Sequence, residues 1–228
     1  MRRIFFWGIC FMLAVWGNLH SQEVLRGEVR VDLEPVYARF IDVPHPLDTQ
    51  SAHQRALEEA ALFYSAMIYG WSFYYDIGEK ARGIAEVFEL TPVGAIAFGD
   101  PGLYATDAKV ADNYLYLYTD YRLTEAQKRR VGMWKSGTVR SAQAIGHGPL
   151  GGAVEMSDWI TIKTTALEDA ARAAVRAVLR GSERNRPKEA RGFISLAAFP
   201  LYWIDGAQWA VSARFRMEVT EIVPFAAY

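Results

Sequence analysis

Three tyrosines at alternate positions, Tyr114, Tyr116 and Tyr118 in NYLYLYTDYRLT (113–124), have the spacing that points most directly to binding chemistry. On a strand, side chains at i, i+2 and i+4 share one face about 7 Å apart. Three such rings form a platform on which sugar rings or a peptide can stack. Trp134 follows closely enough to join them. Leu115, Leu117 and Leu123 point the other way, which also describes an ordinary sheet with a leucine core face and a half-covered tyrosine rim. Outer-membrane barrels carry similar runs, but they need at least about eight strands of roughly ten residues each with little helix between them. This chain has fewer strand-like runs, two helical ones, and Pro224 in the last stretch.

Other chemistry-bearing groups do not assemble into sites. GHGPLGG holds G-x-G-x-x-G at Gly146, Gly148 and Gly151, yet Pro149 interrupts it and no helix follows directly, as a dinucleotide loop requires. RGFISLAAF (191–199) has the texture of an RNA-recognition strand, but Ser195 and Ala197 stand where stacking rings are needed. His45, Asp48 and His53 follow no compact ligand spacing. Ser136 beside Lys135 lacks a G-x-S-x-G elbow. The pairs Glu58-Glu59 and Glu168-Asp169 read as solvated carboxylates near helix N-termini, and Lys128-Arg129-Arg130 as a solvated turn or strand end. No catalytic residue, metal site or cofactor is expected.

Where the protein works is suggested by its first 21 residues. Met1-Arg2-Arg3, an apolar run from Ile4 to Gly17 and a polar end at Ser21 follow the order of a secretory leader cleaved near Ser21. The run is shorter than the ~20 residues of a membrane span, so no stable transmembrane span is expected after cleavage. Cys10 is the chain's one cysteine and lies inside that run, too early for a lipidated cysteine. The mature chain thus has neither a disulfide nor a thiol nucleophile, which suits a bacterial periplasm. Removing Arg2 and Arg3 leaves 23 basic against 26 acidic residues. That balance is close to neutral and points to neither nucleic acid nor anionic lipid, so no nucleic-acid partner is expected.

The elements that must position these residues are those of an α+β protein. Glu28–Glu34 alternates as a half-buried strand and Pro35 ends it, before a stiff Pro44-His45-Pro46 loop. Ser51 and Gln54 have capping-box spacing, and Leu57, Ala60, Ala61, Tyr64, Met67, Ile68 and Trp71 predict a helix over 52–69. Strands are expected at Gly83–Leu90, Val93–Phe98 and Asn113–Leu123, with turns at Gly99–Gly102 and around Asp107. Ala144–Gly152 reads as a glycine-rich loop. Beyond it, Ser157–Lys163 alternates like a strand, Thr165 and Glu168 open a helix that stops at Gly181, and strands follow at Gly192–Phe199 and Trp209–Val219 around an Asp205-Gly206 turn. ARG at 81–83 and at 190–192 each follow a helix stop at similar distance. The pattern predicts two β-α-β-β units, 22–143 and 153–228, joined by the 144–152 loop. Each has an antiparallel sheet with one amphipathic helix packed on a face, the two units either separate or sharing one core.

ALEDAARAAVRAVLRG followed by RGFISLAAFP and WAVSARFRMEV resembles the secreted α+β domains of bacterial flagellar-assembly proteins and small envelope lipoproteins, over residues 157–221. The resemblance rests on element order and helix texture, lacks the lipidated cysteine, and implies a non-enzymatic envelope role without assigning residues. The expected function is therefore a periplasmic scaffold or assembly component that binds another envelope protein. The alternative is a glycan- or peptide-binding module using Tyr114, Tyr116, Tyr118 and Trp134.

Overall fold

Val29 and Val31 alternate with Glu28, Arg30 and Asp32, and the backbone obeys that alternation in an extended strand, β1 (Val24–Asp32). The computed structural model describes residues 23–34, 47–79, 82–149, 159–182, 187–206 and 208–224. The leader at 1–21, Pro35, the Pro44–Pro46 loop and Ser157 lie outside the described residues.

After β1 come α1 (Thr49–Ile68), β2 (Trp71–Asp76), β3 (Val87–Pro92), β4 (Leu103–Ala111), β5 (Tyr114–Arg122), α2 (Glu125–Met133), β6 (Arg140–Pro149), α3 (Trp159–Ser182), β7 (Pro187–Leu196), β8 (Leu201–Asp205) and β9 (Gln208–Pro224). The architecture is α+β, and every strand pairing is antiparallel. A small sheet runs β1-β5-β4 and a larger one β3-β2-β7-β9-β6, with β8 paired to β9 beside β7. β2 and β3, from the first stretch of the chain, share the larger sheet with strands from the second. One core cluster draws on both stretches.

Helix α1 packs on β1 and β5 and reaches β7, and α3 lies on β6 and β9. The Tyr64 hydroxyl pins α1 to the small sheet by donating to the Thr119 carbonyl at 2.7 Å. The N-cap of α1 is Asp48, three residues ahead of the expected Ser51 box: Asp48 Oδ1 accepts from the Ser51 amide at 2.9 Å. A capping box does occur at α2, between Thr124 and Gln127. Thr124→Ala is expected to cost about 1 kcal/mol, measurable by urea denaturation. Lys128-Arg129-Arg130 is thus helical, with Lys128 paired to Glu125 at 2.7 Å.

Several expectations need correction. Val93–Phe98 forms no strand; it straps across α1, where the Ile96 amide donates to Ser65 Oγ at 2.8 Å. The turn expected near Asp107 falls at Asp112-Asn113, both at positive φ, as a two-residue hairpin requires, while Asp107 sits beside a bulge within β4. Trp159–Lys163 is the first part of α3 rather than a strand, because Trp159, Ile162, Lys163 and Ala166 recur at helical spacing and all are buried. Five residues are too few to separate the two periods. Thr165 is therefore no cap; its hydroxyl donates to the Thr161 carbonyl at 3.0 Å.

The glycine-rich stretch is the largest departure from expectation. Ala144–Pro149 is not a loop but six of the ten residues of β6, and its glycines admit α3, while 150–152 lie outside the described residues. A Cβ on Gly146 would stand 2.1 Å from the Ala170 amide nitrogen, and one on Gly148 would stand 3.0 Å from the Ile162 carbonyl oxygen. Glycine inside a strand marks close backbone approach, and here the neighbour is a helix.

Candidate functional site

Alternation on β1 and β5 separates two surfaces. Val29, Val31, Leu115 and Leu117 enter the core, while Glu28, Arg30 and Asp32 lie opposite Tyr118, Tyr116 and Tyr114 on the outer face. Tyr114 and Tyr116 stand 6.3 Å apart, with rings tilted by 58°. The Arg30 guanidinium covers the Tyr114 ring at 4.6 Å, and Glu28, directly across from Tyr118, holds its hydroxyl above the ordinary value. The three tyrosines thus share a face, but two are already engaged by β1. Trp134 is elsewhere: it is buried at the end of α2, and its Nε1 donates to the Ile68 carbonyl at 3.2 Å.

That outer face turns over β1 into a cleft of about 340 Å³ between β1 and β8. One wall carries Glu28, Arg30, Asp32, Tyr114 and Tyr116, and the other carries Leu201, Trp203 and Ile204. Arg30 spans them by donating from Nη2 to the Tyr202 carbonyl at 3.2 Å. Among the described residues β1 pairs only with β5, and β8 only with β9, so each of these two cleft-lining strands has one edge without a strand partner.

The floor is an ion pair. Lys163 Nζ of α3 donates to Glu59 Oε2 of α1 at 2.6 Å, with both side chains almost wholly buried. Trp159 Nε1 donates to the other Glu59 oxygen. The ammonium faces the rings of Trp159 at 4.9 Å, Tyr202 at 5.0 Å and Trp209 at 5.7 Å. The Tyr202 hydroxyl donates to the Lys163 carbonyl at 2.9 Å. Burial pushes the Lys163 amine down against the opposing pull of Glu59, and pushes the Tyr202 hydroxyl well up. Held by these internal partners, the groups form a buried polar floor.

Asp32 at the mouth is different. It is half-buried, and desolvation holds its carboxyl above the ordinary carboxylate value despite the Glu34 amide that it accepts at 3.0 Å. A carboxyl with a raised folded pKa contributes stability below the unfolded value of 3.8 and loses it as pH rises through the folded value. Asp32→Asn is therefore expected to be more stable than the parent at pH 7. The gain should disappear below pH 3.8, as urea midpoints at the two pH values would show.

Glu59 and Lys163 escape a composition-level reading. Glu58 does face outward and accepts from Gln54 at 2.9 Å, but Glu59 is buried, not solvated. The available signal is helical: Ala52, Ala56, Glu59, Ala60 and Phe63 lie on one buried face of α1, as Trp159, Lys163, Ala166 and Leu167 do on α3. A charge inside an apolar stripe announces a buried partner. His53 Nδ1 lies 2.7 Å from the Thr49 carbonyl, the His147 amide donates to Asp169 Oδ2 at 2.9 Å, and Ser136 bonds Thr138. Among the described residues no group of three acidic, histidine or cysteine side chains is placed to hold a metal ion, and no helix is long and apolar enough to cross a membrane.

No solved structure matches this chain. An uncharacterized protein of Treponema pallidum (strain Nichols) is 23% identical over 222 residues, covering 94% of this chain and 90% of its own. The similarity runs over almost the whole of both chains. A protein-family model matches residues 14–225, and the chain belongs to that family.

Proposed function

We propose that the chain is a non-catalytic binding protein of the bacterial envelope, and that the cleft between β1 and β8 takes an extended segment of a partner protein. The observation that carries this reading is that two strands each with one edge unpaired by another strand, among the described residues, line one cleft. A strand edge offers a row of backbone donors and acceptors to an incoming peptide. Other edges are blunted: β4 is bulged between Ala105 and Asp107 and bears Lys109, while β3 ends in Pro92 and β6 in Pro149. β1 has no proline and no bulge. Export rests on the leader-like residues 1–21, and the resemblance of residues 157–221 to envelope assembly domains supports the setting. A peptide is preferred to a glycan because Arg30 covers the Tyr114 ring and Trp134 lies in the core.

Site-specific photocrosslinking tests this reading in cells. A photoreactive residue at Leu201, exposed on the cleft rim, is expected to capture one dominant envelope protein. The same residue at Arg129, exposed on α2, captures none of it, and Arg30→Glu weakens the Leu201 product. Equal capture from both positions, or none from Leu201, removes the proposal.

A further inference from the structure

If the cleft takes an extended segment, as proposed above, β1 specifies what that segment must carry. The cleft-facing residues of β1 alternate in charge: Glu28, Arg30, Asp32. Among the described residues neither Glu28 nor Asp32 has a cation within ion-pair distance. The other cation of the cleft, Lys163, is spent on Glu59. Arg30 is held by the Tyr202 carbonyl and the Tyr114 ring rather than by a carboxylate. Among the described residues the edge thus presents two carboxylates and one guanidinium that stand outside any ion pair, at alternate positions along one face.

A strand added to that edge places its own alternate side chains directly opposite these three. Opposite charges facing across paired strands attract and like charges repel. We infer that the partner segment carries a basic, an acidic and a basic residue at alternate positions, in the pattern basic-x-acidic-x-basic. Its two basic side chains pair with Glu28 and Asp32, and its acidic one pairs with Arg30. The aromatic walls suit this, since Tyr116 and Trp203 line the same cleft and aromatic faces accept the stems and charged heads of lysine and arginine. Lys163 already lies among three rings and a carboxylate on the floor of this cleft.

The test uses three blocked peptides with one valine- and threonine-rich host, differing at three alternate positions: Lys-x-Glu-x-Lys, Gln-x-Gln-x-Gln and Glu-x-Lys-x-Glu. Binding to the full chain is measured at low salt by isothermal titration. The first should bind roughly tenfold tighter than the neutral peptide and by a wider margin than the reversed one. The preference should reverse in the Glu28→Lys, Arg30→Glu, Asp32→Lys triple variant. Equal binding of all three to the unmodified protein overturns the charge pattern while leaving the peptide reading standing. Tighter binding of the reversed peptide also overturns it. Failure of every peptide to bind overturns both. The primary comparison needs no variant, so a folding defect in the triple mutant cannot mask the outcome.

Discussion

Lys163→Ala is expected to lower stability by about 4 kcal/mol at neutral pH, because it strands the buried Glu59 carboxylate without its cation. Glu59→Ala should cost a similar amount by stranding the ammonium among Trp159, Tyr202 and Trp209. Paired removal should behave differently. Glu59→Leu with Lys163→Met fills similar volume with apolar atoms, and such replacements of buried ion pairs are often neutral or stabilising. The double variant is therefore expected to recover most of either single loss. Urea unfolding followed by tryptophan fluorescence reads this directly, since Trp159 and Trp209 pack against one another at 5.2 Å beside the pair. Additive losses in the double variant would mean that packing, not charge, governs this floor.

Gly146→Ala should be nearly as damaging, at roughly 3 kcal/mol. The added methyl meets the Ala170 nitrogen at 2.1 Å and the Ala166 carbonyl oxygen at 2.3 Å, both helix backbone that cannot rotate aside. α3 must lift from β6, which loosens the helix that carries Lys163 and Trp159. Gly137→Ala is the control, since a Cβ there meets no neighbour within 4 Å, and it should be close to neutral. Thermal unfolding of the two variants separates them clearly. A small Gly146→Ala effect would show that α3 does not need its close approach to β6.

Periodicity carried the parts of the fold that repeat. The alternation in Glu28–Asp32 and in Tyr114–Tyr121 yields β1 and β5 with the correct faces inward, and the apolar stripe behind Asp48 yields α1. Where a residue's role depends on a distant neighbour, local reading stops. Gly146 looks like loop chemistry until α3 is seen against it. Trp159 and Ile162 fit a strand until the buried face of α3 extends back to include them. Glu59 passes for a surface charge beside Glu58 because its partner lies 104 positions away. The tyrosine row was legible as a face, but not its engagement by Arg30 and Glu28, which depends on β1 lying beside β5. The cleft itself was not legible, because no segment contains both β1 and β8.

Strand β9 has 17 residues and binds β6 along one side and both β7 and β8 along the other. It is also the last strand described, so a chain growing from its N-terminus makes every other described element before this shared seam exists. Until residues 208–224 emerge, α3 has no completed sheet to lie on and β6 no partner. Late pairing between remote segments is slow, and it leaves apolar surface waiting for its cover. Under the export proposed above, that delay would be useful: a polypeptide that cannot close early stays threadable, and closure would happen on the side of the membrane where its last strand arrives.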